Sequence, residues 1–152
     1  MSYIDQNLLP DERILYRTKK HFIIFFPALI LTILVLYIYT LNNPYLLKFS
    51  WLFDIATFIY WGVQWLEYAT SEFAVTNKRV MMKEGFFVRH ANELRLTTIA
   101  QVAIQQSLIG QLLNYGTVGI NVFGGSTDVF TLIASPNQFQ RYVQVELDKI
   151  TR

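Results

Sequence analysis

The sequence predicts two parts in one chain: a membrane α-helical hairpin, then a mainly-β barrel or sandwich capped by a C-terminal helix. Three observations carry that prediction. From Phe22 to Leu47, 26 consecutive residues carry no charge. From residue 67 onward the apolar residues recur with period two, the spacing of half-buried strands. After Ser135 the period changes again, to that of an amphipathic helix.

Composition supports the division. The 152 residues are 53% apolar and 16% charged, where ordinary domains have roughly 45–50% and about 25%. With 12 Phe, 9 Tyr and 3 Trp the chain is far too aromatic for disorder. The absence of Cys excludes a disulfide scaffold, a cysteine nucleophile and a thiolate zinc site, and fits a reducing compartment. A net charge of +2 is too small to hold nucleic acid.

Residues 1–21 read as a cytoplasmic N-terminal segment, and residues 22–66 as the two-helix transmembrane hairpin. The first span, 22–41, has nothing more polar than Thr or Tyr. Twenty helical residues match a hydrocarbon core of roughly 30 Å. Pro27 predicts a kink near its start, which membrane helices tolerate. A signal peptide is the competing reading. It fails because 21 residues precede the run, three of them acidic, and no small-x-small cleavage site follows. Asn42-Asn43-Pro44 predicts a tight loop. The second span, 46–66, is interrupted by Lys48 and Asp54 and carries Trp51, Tyr60, Trp61 and Trp65, residues that gather near headgroups. Arg13, Arg17, Lys19 and Lys20 precede the first span, and Lys78, Arg79 and Lys83 follow the second. The loop between them offers only Lys48. The bias predicts a multi-pass protein with both termini in the cytoplasm.

Residues 67–152 hold eight Lys+Arg and seven Asp+Glu. Ser71–Val75 alternates, Thr76–Lys78 turns, and Arg79–Lys83 returns to a turn at Glu84-Gly85. Phe86–Leu96 and Ile99–Gln106 read as extended. Thr117–Phe123 is the clearest strand, with Val118, Ile120 and Val122 on one side. Gly124–Ser126 predicts a hairpin turn into Asp128–Ala134. Ser135-Pro136-Asn137-Gln138 has the form of a capping box, and Phe139, Val143, Leu147 and Ile150 form one helical face. Six or seven short strands closed by this helix make a small barrel or bent sandwich.

Several stretches resemble a known family. Glu72-Phe-Ala-Val-Thr-Asn-Lys-Arg-Val80 with Lys83-Glu-Gly85 is similar to the opening of a bacterial pleckstrin-homology-like domain. Ile99-Ala-Gln-Val-Ala-Ile-Gln-Gln-Ser-Leu-Ile-Gly-Gln-Leu-Leu-Asn-Tyr-Gly-Thr-Val118 is similar to that family's central signature. Leu8-Leu-Pro-Asp-Glu-Arg-Ile-Leu15 and Lys20-His21, before a two-helix hairpin, resemble the start of its membrane-bound, YdbS-like members. The resemblance implies a pleckstrin-homology-like barrel tethered to the inner membrane of a bacterium by two helices. It implies no catalytic chemistry, and fold transfers better than role. Gln111 stands where the family usually places a basic residue, which puts an anion contact there in doubt.

Three groups of residues are candidates for function. Asp54, a carboxylate inside a span, costs about 2.5–3.5 kcal/mol at a helix centre and marks an ion or proton pathway, an oligomer contact, a shallow position in reach of water, or a hydrogen bond to Tyr39 or Thr40. Lys78, Arg79, Lys83 and Arg89, with His90 beside them, could meet phosphate headgroups of anionic lipid, or simply solvate strand edges among Glu72, Glu84 and Glu93. Leu108, Ile109, Leu112 and Leu113 in Ser107–Tyr115 form either a contact patch or ordinary core. Gly124–Asp128 lacks the helix and lysine of a phosphate-binding loop. Neither His has the partner of a metal pair, and His21 reads as an interfacial aromatic. No cofactor, metal, catalytic group or small-molecule substrate is expected. The expected partners are membrane lipids and a protein, either a foreign one or a second copy in a homo-oligomer.

Overall fold

The computed structural model describes residues 3–85, 90–125 and 127–151. The chain separates into two units, Met1–His21 with Thr70–Arg152, and Phe22–Ala69. The N-terminal residues thus belong to the β unit, which corrects the sequence reading of 1–21 as a segment apart. The reason is strand β1, Ile14–Thr18. It lies antiparallel to β2, Glu72–Thr76, with Thr18 opposite Phe73 and Ile14 opposite Thr76. Tyr16 packs against the main core and Thr18 is buried, whereas Ile14, across an irregularity in the pairing, packs with Ala74 and Met81 on the other face; Leu15 is exposed and hides the alternation.

Strands β3 (Arg79–Glu84) and β4 (His90–Arg95) complete a four-stranded sheet in the order β1-β2-β3-β4. Short helix α1, Tyr3–Gln6, seats Ile4 against Ala74 and Met81 on the outer face of this sheet. Both faces of β2 and β3 are therefore buried, and Phe73, Ala74 and Val75 are apolar in succession. A 3₁₀ turn, Leu96–Thr98, leads into β5, Ile99–Gln105. Strands β6 (Tyr115–Val122) and β7 (Thr127–Ala134) add the second sheet, β5-β6-β7. Gly124, at φ +69°, makes the turn between them, while Ser126 lies outside the described residues. Of the predicted segment Phe86–Leu96, residues 86–89 also lie outside them.

The two sheets close on each other beyond β1. The Ala134 N–H donates to the Lys19 carbonyl at 3.0 Å and the His21 N–H to the Leu132 carbonyl at 2.6 Å, with Lys20 opposite Ile133. Helix α5, Pro136–Thr151, packs Phe139 and Val143 into the core, with Leu147 at its margin. Ile150 is exposed, so the apolar face ends a turn earlier than its spacing predicts. The capping box does not form. Ser135 sits at φ +52°, and its hydroxyl accepts from Asn114 Nδ2 at 2.9 Å; its carbonyl takes the N–H groups of Gln138 and Phe139 instead.

The other unit is a pair of helices. A 3₁₀ turn, Phe22–Phe25, precedes α2, Phe26–Thr40. Pro27 falls in the first turn of α2, where its missing N–H costs nothing, so the predicted kink is replaced by a 3₁₀ start. Helix α3 spans Pro44–Thr70, longer at both ends than the predicted 46–66. Asn43 starts it: its Oδ1 accepts the Tyr45 N–H at 3.0 Å and its carbonyl the Leu47 N–H at 2.9 Å, with Pro44 as first helical residue. Phe25 packs its ring among Trp61, Trp65 and Tyr68, and Trp61 Nε1 donates to Thr32 Oγ1 at 3.0 Å. The 3₁₀ turn and α2 together, Phe22–Thr40, and α3, Pro44–Thr70, are each long and apolar enough to cross a membrane.

Candidate functional site

Between β5 and β6 the chain forms helix α4, Leu108–Leu113. Ser107 caps it by accepting the Gly110 N–H at 3.0 Å, and Asn114 ends it in the left-handed conformation at φ +59°. Gly110 lies so close to β6 that a Cβ there would stand 2.6 Å from the Tyr115 carbonyl oxygen. Gly116 is similarly crowded by Gln106 and the Gln105 carbonyl. These contacts set α4 flush on the barrel while its apolar side chains face outward. Leu108 is 85% exposed, Leu112 84%, Ile109 61% and Leu113 37%. The sequence leaves patch and core open for this segment, and the structure leaves these side chains exposed rather than in the core.

His21 ties this helix to the end of β1. Its ring stacks on Tyr115 with centroids 5.2 Å apart and is hydrogen-bonded to the backbone of Leu113. Burial holds the imidazole below its ordinary value of 6.5, against the opposite pull of that hydrogen bond. The sequence reading of His21 as an interfacial aromatic missed both partners, which lie more than 90 positions away. An open groove of about 540 Å³, lined by Ile104, Gln106, Ser107, Tyr115, Thr117 and Leu132, runs beside the same contact.

The basic residues around the β2–β3 hairpin face the N-terminal segment. Lys78 Nζ donates to the Pro10 carbonyl at 2.7 Å. Arg79 grips Glu12 through two parallel hydrogen bonds of 3.0 Å, and also binds Glu93 and the Asn7 carbonyl. The Lys83 ammonium stands 5.0 Å from the centroid of the Tyr3 ring. Arg89 lies outside the described residues, and so does the side chain of His90. Glu12 also accepts the Leu9 N–H at 2.8 Å and the Thr76 hydroxyl at 2.7 Å. Burial alone would raise its pKa. The hydrogen bonds from Arg79, Leu9 and Thr76, with the Arg79 charge, outweigh that and hold it below 4.5. A carboxylate of the chain itself thus occupies the guanidinium. Sequence reasoning missed Glu12 because it stands 67 positions from Arg79.

Asp54 accepts the Tyr39 hydroxyl at 2.5 Å, one of the two partners expected for it; Thr40 donates instead to the Tyr37 carbonyl. Both members of the Asp54 pair lie in the helical unit.

A four-stranded and a three-stranded sheet with a C-terminal helix over the core define the class: a pleckstrin-homology-like fold. A family model described as the bacterial PH domain matches residues 20–148, a range that runs through both long helices. This chain belongs to the bacterial PH domain family. Among solved structures, it is similar to a DUF1696 family protein with a pleckstrin-homology domain from Shewanella loihica PV-4. That likeness has 13% identity and a TM-score of 0.41, and covers 51% of this chain and 70% of the other. No curated protein matches.

Proposed function

We propose that the chain is a membrane-anchored, non-catalytic interaction module of the inner membrane of a bacterium. One observation carries this reading: α2 and α3 form an insertion between β1 and β2, which are hydrogen-bonded neighbours. The barrel is joined to the helices by two short covalent connections, His21–Phe22 and Thr70–Ser71. The outward side chains of the helices include Leu29, Ile33, Leu36, Phe58 and Ile59, an apolar surface suited to hydrocarbon rather than water. Lys and Arg at the span ends favour cytoplasmic termini, with residues 41–43 outside.

A module held at the bilayer meets other membrane-bound chains at raised effective concentration. Its exposed contact surfaces are α4 and the open edge of β4, which pairs only with β3 among the described residues. The partner is a protein, foreign or a second copy of the chain. The alternative, anionic phospholipid held by Lys78, Arg79, Lys83 and Arg89, requires Arg79 to exchange Glu12 for a headgroup.

The natural sequence has no Cys, so any cysteine introduced is unique. In spheroplasts, Asn42→Cys is expected to react with an impermeant maleimide, and Gln101→Cys only after permeabilisation. Extracted in mild detergent, the chain is expected to carry a stoichiometric partner or a second copy. Failure of Asn42→Cys to label from outside overturns the topology. A monomer carrying only lipid overturns the protein-contact reading in favour of lipid recognition.

A further inference from the structure

We infer that α4 is a third membrane contact of this chain: Leu108, Ile109 and Leu112 enter the interfacial layer of the bilayer that the hairpin spans. This rests on the membrane-anchored reading; it takes α4 for lipid and leaves the open edge of β4 for the protein partner.

The residues of this segment divide by task. Ser107 caps α4, Gly110 allows its close approach to β6, Asn114 ends it, and Tyr115 stacks on His21. Leu108 and Leu112 do none of this. Among the described residues they are the most exposed large apolar side chains of the β unit, and Ile109 stands beside them on the same short helix. A fully exposed aliphatic cluster is unfavourable in water and needs a covering.

The chemistry of the surroundings favours lipid. From Leu96 to Thr127 the chain carries no charged residue, although many of those positions, including Gln101, Gln105 and Gln111, are exposed. Removing uncharged residues from water costs far less than removing ionised ones. The place favours lipid too. His21 holds α4 through Leu113 and Tyr115, and the next residue is Phe22, the first of the charge-free span. Consecutive Cα atoms are about 3.8 Å apart. α4 is therefore held by the residue that immediately precedes the span.

A second copy fits less well. The three side chains expose on the order of 400 Å², about half of the roughly 800 Å² per partner that a standard protein interface buries. A bilayer sets no such minimum, because each apolar group gains on its own as it leaves water.

The test uses the full-length chain in phosphatidylcholine vesicles, with an environment-sensitive fluorophore on a single cysteine. Positions 108 and 112 report on α4, position 36 on the hairpin, and position 144, exposed on α5, on the aqueous face. Lipids brominated along the acyl chain are the quencher. Quenching at 108 and 112 is expected to approach that at 36, to exceed that at 144 several-fold, and to persist at high salt. Quenching at 36 with 108 and 112 as wet as 144 overturns the inference and leaves the anchored module standing. A dry but unquenched label at 108 and 112, sensitive to protein dilution, also overturns it and assigns the patch to a second copy. No quenching at 36 removes the membrane hairpin itself, and the inference with it.

Discussion

Glu12→Gln is expected to loosen the N-terminal segment from the barrel. The Glu12 side chain is wholly buried and Arg79 only 12% exposed, so their pair lies among the interactions costly to break. Losing one partner of a buried pair costs about 3–5 kcal/mol. Arg79 keeps Glu93, the Asn7 carbonyl and a little solvent, which places the cost near the lower end, about 3 kcal/mol. Glutamine fits the space but has one acceptor oxygen for four donors, and its amide opposes an N–H. At roughly 1.4 kcal/mol per tenfold, amide exchange at Leu9 should quicken about a hundredfold. If the segment and barrel unfold together, the midpoint should fall by roughly 12–24 °C.

All three tryptophans lie in α3, so their fluorescence is blind to this event, and amide exchange on the full chain in detergent is the suitable assay. The pH dependence supplies a second check. The folded pKa of Glu12 lies below its ordinary 4.5, so the pair contributes stability that is fully present above that value. That stability is lost as pH falls through the depressed pKa. Arg79→Met, which strands the carboxylate, should therefore cost less in acid, where Glu12 protonates. Leu9 exchange within threefold of the natural chain, or an Arg79→Met cost independent of pH, would refute the reasoning.

Two further predictions concern α4. Gly110→Ala should cost about 1–3 kcal/mol, because its Cβ meets the Tyr115 backbone carbonyl rather than a yielding side chain; chemical denaturation measures the loss, and a neutral result would show that α4 sits less tightly on β6. His21, with its folded pKa depressed by burial, binds fewer protons folded than unfolded, so stability should be complete above 6.5 and erode as pH falls below it. His21→Phe should flatten that part of the pH profile, whereas an unchanged slope would place the titrating group elsewhere.

What the sequence made legible were properties that repeat along it. The charge-free span and the alternation of Val118 and Ile120 each need only neighbouring residues, and both lead to the elements found. Asp54 and Tyr39 were within reach because a tight helical turn brings nearby positions together. β1 was not legible, since its outward Leu15 looks like an inward residue and its partner strand begins beyond a 27-residue helix. α4 is too short to show a helical period, and its fate depended on which face β6 left open. The pairing of Glu12 with Arg79 is a matter of register between segments separated by both long helices. No local pattern encodes that.

The insertion point gives these separate features a common logic. Long insertions between paired strands cost little when their ends meet, because loop-closure entropy grows only with the logarithm of length. An antiparallel helix pair brings its own ends together, so β1 and β2 can pair across it. The chain after β1 is hydrogen-bonded to β7 as far as His21, and only Ser71 separates α3 from β2. His21, which immediately precedes Phe22, also holds α4. The buried lock of Glu12 on Arg79 fastens the chain upstream of β1 to the β2–β3 hairpin. Lys78 and Arg79, which the sequence marks as headgroup candidates, are thus engaged by the N-terminal segment, while the apolar side chains of α4 stay exposed.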